Sequence, residues 1–431
     1  MKKLFFVASL LVASFAARAE GYQVNLQSAR QTGMGHVGVA LKLGSESMFF
    51  NPAGLSFMSS NIDLSFGGSA IFATATYSSG DTYAETDNTP STPIFLQAAF
   101  KISDKLAAGL SVTTPYGSSL NWGKDWAGAD LVQDIALKAY NIQPTISYRI
   151  TDKLSIGGGL MINFGDVSIS RALLPAGTLV PALGTDYADV IPVSATLTGS
   201  AGIKLGYNIG AMYDITDRLT LGASYRSKVG LDVTAGEATL SYASDAIKEV
   251  LSGSVPPLDN GTFAASMPMP ANLTIGAAYK FGDNFLLSAD IQSVYWSAYE
   301  QLDIVFSEEV LGGYNISSVK DYENTIIARI GGEYNVTDRF DVRAGVYYDQ
   351  SPIHTDNYNP ETPGMDKVGI SGGFSFRPIE AMSIDFALLY IAGTGETGSV
   401  NYTNGLSVEQ TFSGDYTSNA FVTSLGLSFR F

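Results

Sequence analysis

The last eleven residues, Phe421-Val-Thr-Ser-Leu-Gly-Leu-Ser-Phe-Arg-Phe431, alternate without a break. Phe421, Thr423, Leu425, Leu427, Phe429 and Phe431 share one face. Val422, Ser424, Gly426, Ser428 and Arg430 share the other. Strand side chains point alternately to two faces, so one side is nearly all apolar and the other small or charged. A soluble sandwich can show this pattern, but it rarely carries its apolar face to a terminal aromatic residue. A strand of a closed transmembrane barrel does both, with aromatic residues at the membrane interface.

The start of the chain agrees. Met1-Lys2-Lys3 is basic, Leu4 to Ala17 is almost wholly apolar, and Ala17-Arg18-Ala19 is a small-x-small cleavage site. This predicts a signal peptide over 1–19, cleaved after Ala19, because the apolar run is too short for a spanning helix. No later segment offers eighteen consecutive apolar residues. With no Cys, disulfides play no part. Charged residues are 15% of the chain, against about 25% in soluble domains. Phe and Tyr number 23 each, which suits an outer wall in contact with lipid.

The formal charge is −16. Without Lys2, Lys3 and Arg18 it becomes 22 basic against 41 acidic residues, or −19. That balance argues against nucleic-acid binding. It is read as solubility of external loops and of the lumen wall, with divalent-cation bridging to an anionic cell surface as the alternative.

A small repeat sets the strand count. Ser103-Asp-Lys-Leu106, Thr151-Asp-Lys-Leu154, Thr216-Asp-Arg-Leu219 and Thr337-Asp-Arg-Phe340 are nearly one tetrapeptide, with Gly282-Asp-Asn-Phe285 a relative. Asp and Asn favour tight turns, and each sits between two alternating runs. Strands are predicted at 62–77, 92–102, 105–114, 134–150, 153–169, 194–215, 218–234, 271–281, 284–306, 322–336, 339–349, 367–377, 381–391 and 419–431. These five turns and Pro378-Ile379-Glu380 are short, and the other seven connections are long and polar. Alternation of short and long connections with an even strand count is the bacterial barrel pattern, with both termini periplasmic. Arg149, Lys204, Arg226, Lys280, Arg329, Arg343, Arg377 and Arg430 all fall on the polar face.

Residues 20–61 do not alternate. They hold Val37, Val39, Leu41, Leu43, Met48, Phe49, Phe50, Leu55, Phe57 and Met58, too much apolar surface for a disordered tail. Irregular backbone at membrane depth is tolerated inside protein. The expectation is an all-β, 14-stranded antiparallel transmembrane β-barrel over 62–431, plugged by an N-terminal hatch over 20–61.

Glu20-Gly-Tyr-Gln-Val-Asn25, Gly33-Met-Gly35 and Phe50-Asn51-Pro52-Ala53-Gly54 resemble the hatch of the FadL-type family, the outer-membrane transporters of long-chain fatty acids and aromatic hydrocarbons. Thr114-Pro115-Tyr116-Gly117 resembles the entry to that family's long third external loop. The resemblance implies a monomer in the outer membrane of a Gram-negative bacterium that carries a hydrophobic small molecule. Ligand is captured by external loops, passes to an inner pocket, and leaves sideways into outer-membrane lipid beside a kinked third strand. It implies a hatch motif at Asn51, Pro52 and Ala53, and inner-pocket roles for Tyr22 and for Arg149, whose alternative is a lumen salt bridge. Tyr116, Leu120, Trp122, Trp126 and Leu131 would line an exposed external groove. Gly109 and Ser111, small residues on the inner face of the third strand, would sit at the lateral opening.

The chain offers no Cys nucleophile, and its two His, His36 and His354, lie off the strands, so an enzyme, a cofactor and a metal centre are not expected. An unplugged porin would not need residues 20–61. An adhesin using the acidic loops is a further reading. By resemblance to outer-membrane proteins generally, Phe431 is part of the signal read by the barrel-assembly machinery. Phe431→Ala is expected to lower the amount of heat-modifiable barrel in the outer membrane, measured by gel shift at matched expression; an unchanged amount would contradict this.

Overall fold

The computed structural model describes residues 22–252, 258–310, 313 and 315–431. The expected signal peptide and the first two mature residues lie outside them. Fourteen strands form a closed antiparallel wall. They are β1 (Ile62–Ser79), β2 (Ile94–Lys101), β3 (Leu106–Asn121), β4 (Asp134–Arg149), β5 (Leu154–Ala172), β6 (Val193–Asp214), β7 (Leu219–Arg226 and Val229–Tyr242), β8 (Gly261–Met269 and Asn272–Phe281), β9 (Phe285–Val294 and Gln301–Phe306), β10 (Asn315–Val319 and Thr325–Thr337), β11 (Phe340–Asp349), β12 (Lys367–Ile379), β13 (Met382–Gly393 and Glu396–Thr403) and β14 (Glu409–Arg430). β14 returns to β1 over Asp63↔Arg430 to Ser78↔Asp415, which closes the wall. Closure is what lets a sheet sit in lipid, since no edge is left with unpaired backbone groups.

The faces are inverted relative to a soluble protein. Phe72, Leu96, Leu205, Ile275, Ile330 and Ile370 are exposed on the outside. Gln97, Gln143, Asn208, Asp290, Glu333, Arg343 and Asp385 are buried inside.

Several strands run further at the long-loop end than the sequence pattern predicts. β3 continues to Asn121, and β14 begins at Glu409. Above the lipid both faces meet water, so Glu409 to Ser418 needs no apolar alternation. Five strands are broken, among them β10 at 320–324 and β13 at Thr394-Gly395. β7 breaks at Ser227-Lys228, β8 at Pro270-Ala271, and β9 at a turn over Trp296–Ala298. Pro lacks the N–H a ladder needs, which accounts for the break in β8.

Residues 22–58 pack against inward-facing wall side chains. Asn51 donates from Nδ2 to the carbonyls of Val39 (2.7 Å) and Ala211 (3.0 Å), and its Oδ1 accepts from Ala53 N–H. The Ala53 carbonyl accepts from Ser147 Oγ (3.1 Å) and Ser155 Oγ (2.9 Å). A Cβ at Gly157 would lie 2.5 Å from the Pro52 carbonyl carbon, and one at Gly210 would lie 2.1 Å from Asn51 Oδ1. Asn51, Pro52 and Ala53 thus sit flush on β4, β5 and β6, where only glycine permits the approach. On the opposite side Arg30 grips Glu333 (Nη2 to Oε1 2.8 Å), which also pairs with Arg343 (2.6 Å). Asp290 accepts from the N–H groups of Gly38 (2.7 Å) and Val39 (3.1 Å).

Candidate functional site

Above this segment the lumen is filled by aromatic rings. Tyr22 is buried, with its ring centroid 5.1 Å from Trp296, 6.1 Å from Tyr299 and 6.2 Å from Tyr116. Tyr299 and Trp296 reach Tyr322, at 5.0 and 5.9 Å. The proline-interrupted part of β8 supplies their acceptors. The hydroxyl of Tyr22 donates to the Pro268 carbonyl, and that of Tyr116 to the Pro270 carbonyl at 3.2 Å. Each ring therefore offers an apolar body with its polar tip already satisfied.

Directly below lies a small polar cavity lined by Asn25, His36, Tyr116, Arg226, Asp290 and Arg329, among others. Arg226 is buried over the Phe49 ring (4.5 Å) and donates only to neutral acceptors: Phe49 O (3.0 Å), Met161 Sδ (3.0 Å) and Gln143 Oε1 (3.4 Å). Arg329 is buried, and its Nε has no hydrogen-bond partner. Asp290 is the one carboxylate among the residues that line the cavity with them. Asp290 faces Arg329 across the β9–β10 ladder but turns its Oδ2 to Gly38 and Val39. Burial, and then the charge of Arg329, push the His36 imidazole down to about 3, so it is neutral. Two guanidiniums against one carboxylate leave the chamber with an excess positive charge. Buried cations without counter-ions are costly unless something anionic completes them.

The wall beside this site is modified. β3 and β4 slip register between Thr113 and Tyr116. Here the edge of β3 pairs with the N-terminal segment instead of β2: Val24 N–H donates to Pro115 O (2.8 Å) and Gly117 N–H to Tyr22 O (2.9 Å).

A profile of the family described as outer membrane protein transport protein (OMPP1/FadL/TodX) matches residues 10–431. This chain belongs to that family. A Pseudomonas aeruginosa FadL homologue has a TM-score of 0.78 at 22% identity, covering 96% of this chain and all of that one. The Pseudomonas putida toluene transporter TodX has a TM-score of 0.71 at 21% identity, covering 96% and 99%. A long-chain fatty acid transport protein of Salmonella typhi is 22% identical over 302 residues, 68% of each chain. The chain is an outer-membrane transport barrel for hydrophobic molecules and not an enzyme.

Of the residues singled out in sequence, Tyr22 and Tyr116 meet in the inner cluster, although Tyr116 lies on β3 and not in the loop after it. Arg149 is not there. It sits at the short-turn end of β4, bonded to the Asp104 carbonyl and 5.6 Å from the Phe57 ring. Inner-face alternation places an arginine in the lumen but does not fix its height. Gly109 and Ser111 do not border a gap. Each is paired on both sides, with Ala99 and Thr145, and with Gln97 and Gln143. The ladder fails higher up, at Thr114 to Tyr116, where Pro115 removes a donor.

The external apolar group is not an exposed groove. Trp122, Trp126 and Leu131 are buried and Leu120 is half-buried on β3. Trp122 stacks on Trp126 at 4.5 Å, and their Nε1 groups donate to Pro360 O (3.1 Å) and Val132 O (2.6 Å). Removing both rings is expected to loosen the 122–133 loop, by about 3–5 kcal/mol per ring. Trp122→Ala with Trp126→Ala should speed limited proteolysis there while the heat-modifiable barrel is retained; unchanged cleavage would contradict this packing role.

Arg226, Arg329, Trp296, Tyr299 and Tyr322 are the site residues that sequence reasoning missed. The two arginines were legible as inward-facing, and Trp296 marks the point where β9 stops alternating.

Proposed function

We propose that this barrel carries long-chain fatty acids. The observation that supports this most is the pairing, in one chamber, of an apolar aromatic cluster with two buried guanidiniums that share a single lining carboxylate, Asp290. A fatty acid would lay its carboxylate against Arg226 and Arg329, where a guanidinium can bind it through two hydrogen bonds. Its chain would displace or slide along Tyr22, Tyr116 and Trp296.

Residues 22–58 would act as the hatch. Pairing of residues 22–24 with β3 would be the movable part, since it rests on two backbone bonds between the N-terminus and a strand edge without β2. Its release would vacate the edge above Thr113 and let the ligand leave sideways into lipid. The Asn51-Pro52-Ala53 seat and the Arg30–Glu333 pair would hold the rest in place. The protein would act as a monomer.

A second reading, aromatic hydrocarbons, is favoured by the ring lining itself, which needs no cation. Uptake of a labelled long-chain fatty acid and of labelled toluene, in cells matched for surface protein, separates the two. The expected result is fatty acid uptake above an empty-vector control with toluene at control level. Toluene uptake alone would replace this reading with the second.

A further inference from the structure

β6 and β7 are zipped at both ends and not between them. Asn208–Asp214 pairs with Thr220–Arg226, and Val193–Thr198 pairs with Glu237–Tyr242. Among the described residues no ladder pair joins the intervening 199–206 to 228–236. The lower limit is a mutual pair between Tyr207 and Ser227, with N···O 2.9 Å from Ser227 N–H to Tyr207 O. Two irregularities produce the lapse. β6 bulges against β5, with Asn163 opposite Lys204 and Gly165 opposite Ala201, so Gly202 and Ile203 have no partners there. β7 breaks after Arg226.

What closes the lapse is side chains. A Cβ at Gly202 would meet nothing within 4 Å, and the nearest group to one at Gly230 would be the Asp232 carboxylate, at 3.0 Å. Lys204 Nζ reaches across to Asp232 Oδ2 at 2.5 Å. Behind that ion pair, a Cβ at Gly206 would lie 2.5 Å from Val229 Cγ2 and 2.7 Å from Met161 Cε. Met161, Val229, Leu231 and Val233 are buried and belong to the same apolar cluster as Tyr22, Tyr116 and Trp296. Met161 also accepts from Arg226. On the outside Ile203 is 69% and Leu205 64% exposed, at the outer end of a lipid-facing run that continues through Tyr207 and Ile209. An apolar route thus runs from the inner cluster to the lipid face, interrupted by movable side chains and one half-exposed ion pair.

We propose that this lapse is a second side opening, between β6 and β7, through which an acyl chain passes between the inner cluster and the outer leaflet, with Lys204–Asp232 as its latch. The proposal rests on the reading of the chain as a fatty acid carrier. It is separate from the exit beside β3, because it opens on other strands and does not require residues 22–24 to leave. A hydrogen-bonded ladder resists parting along its whole length, whereas a solvent-screened ion pair and apolar side chains part at little cost. Lipid cannot satisfy unpaired backbone groups, so a lapse in the ladder fits a place where a guest or an adjacent side chain covers it.

The chain has no Cys, so the opening can be latched chemically. Lys204→Cys with Asp232→Cys is treated on cells with a bifunctional thiosulfonate, and bridging is verified by the mass of the intact protein. Lys204→Cys with a monofunctional reagent controls for added bulk. Uptake of a labelled long-chain fatty acid is then followed. The unbridged variant should transport at or above the wild-type rate, because the latch is gone. Bridging should lower uptake about twofold or more, since side chains alone hold the slot, and a reductant should restore it. Equal uptake with and without the bridge would overturn the second opening while leaving fatty acid transport standing. Wild-type uptake no greater than an empty-vector control would overturn the transport reading and the opening with it.

Discussion

Deleting residues 23–58 is expected to turn a silent barrel into a steadily conducting pore. In the intact protein Met34, Val37, Val39, Leu41, Leu43, Met48 and Leu55 are buried inside the wall. Without them the lumen would be lined by Gln97, Gln143, Ser147, Ser155, Asn208, Glu333, Arg343 and Asp385, all buried inward-facing residues. A polar lumen of this strand number fills with water. The wall should survive, since its strands pair with one another except at the edge of β3 above Thr113, where only Val24 and its neighbours are lost. Glu333 would lose Arg30 but keep Arg343 at 2.6 Å. The measurement is conductance of purified protein in planar bilayers, with heat modifiability as the check on folding. A folded deletion variant as silent as the intact protein would refute a hatch role for this segment.

Neutralising the two chamber arginines is expected to cost fatty acid affinity without unfolding the barrel. A hydrogen bond to a charged group contributes about 1.5–3 kcal/mol, so Arg226→Met with Arg329→Met should weaken binding at least roughly tenfold. The lining carboxylate, Asp290, keeps the bonds of its Oδ2 to Gly38 and Val39, and its Oδ1 has no hydrogen bond to lose. Met preserves length and suits the apolar surround. Binding of a long-chain fatty acid and of the alcohol of equal length, measured by calorimetry, gives the comparison. The acid should lose its advantage over the alcohol in the variant. Equal losses for both would mean that the arginines shape the chamber and do not read a carboxylate.

The strand count was legible because four of the six tight turns nearly repeat a Thr/Ser-Asp-Lys/Arg-Leu pattern and a fifth is its relative, and a short antiparallel link leaves the chain few other conformations. The face of each strand was legible because lipid enforces alternation. Where lipid ends, that information ends, which is why Glu409 to Ser418 and Pro115 to Asn121 read as loop. Height along the axis was not legible either. Arg149 and Arg226 carry the same inner-face signature, yet one lies at the rim and the other in the chamber. Trp122 and Trp126 were legible as an apolar pair in an external loop, but their burial depends on Pro360 and Val132, which no local pattern links to them. Pro115 was the one local sign that the β2–β3 ladder would fail above Thr113. Gly202 and Gly230 are equally small signs of the β6–β7 lapse, and among so many glycines they did not stand out.

An acyl chain is expected to enter the Tyr22–Tyr116–Trp296 cluster. The chain has three Trp, so Trp122→Phe with Trp126→Phe leaves Trp296 as the single reporter, 5.1 Å from Tyr22. Quenching of that fluorescence by a long-chain fatty acid brominated along its chain measures entry directly. Saturable quenching that an unbrominated fatty acid reverses is the expected result. Saturable binding of the same acid with no quenching of Trp296 would contradict it and place the ligand elsewhere.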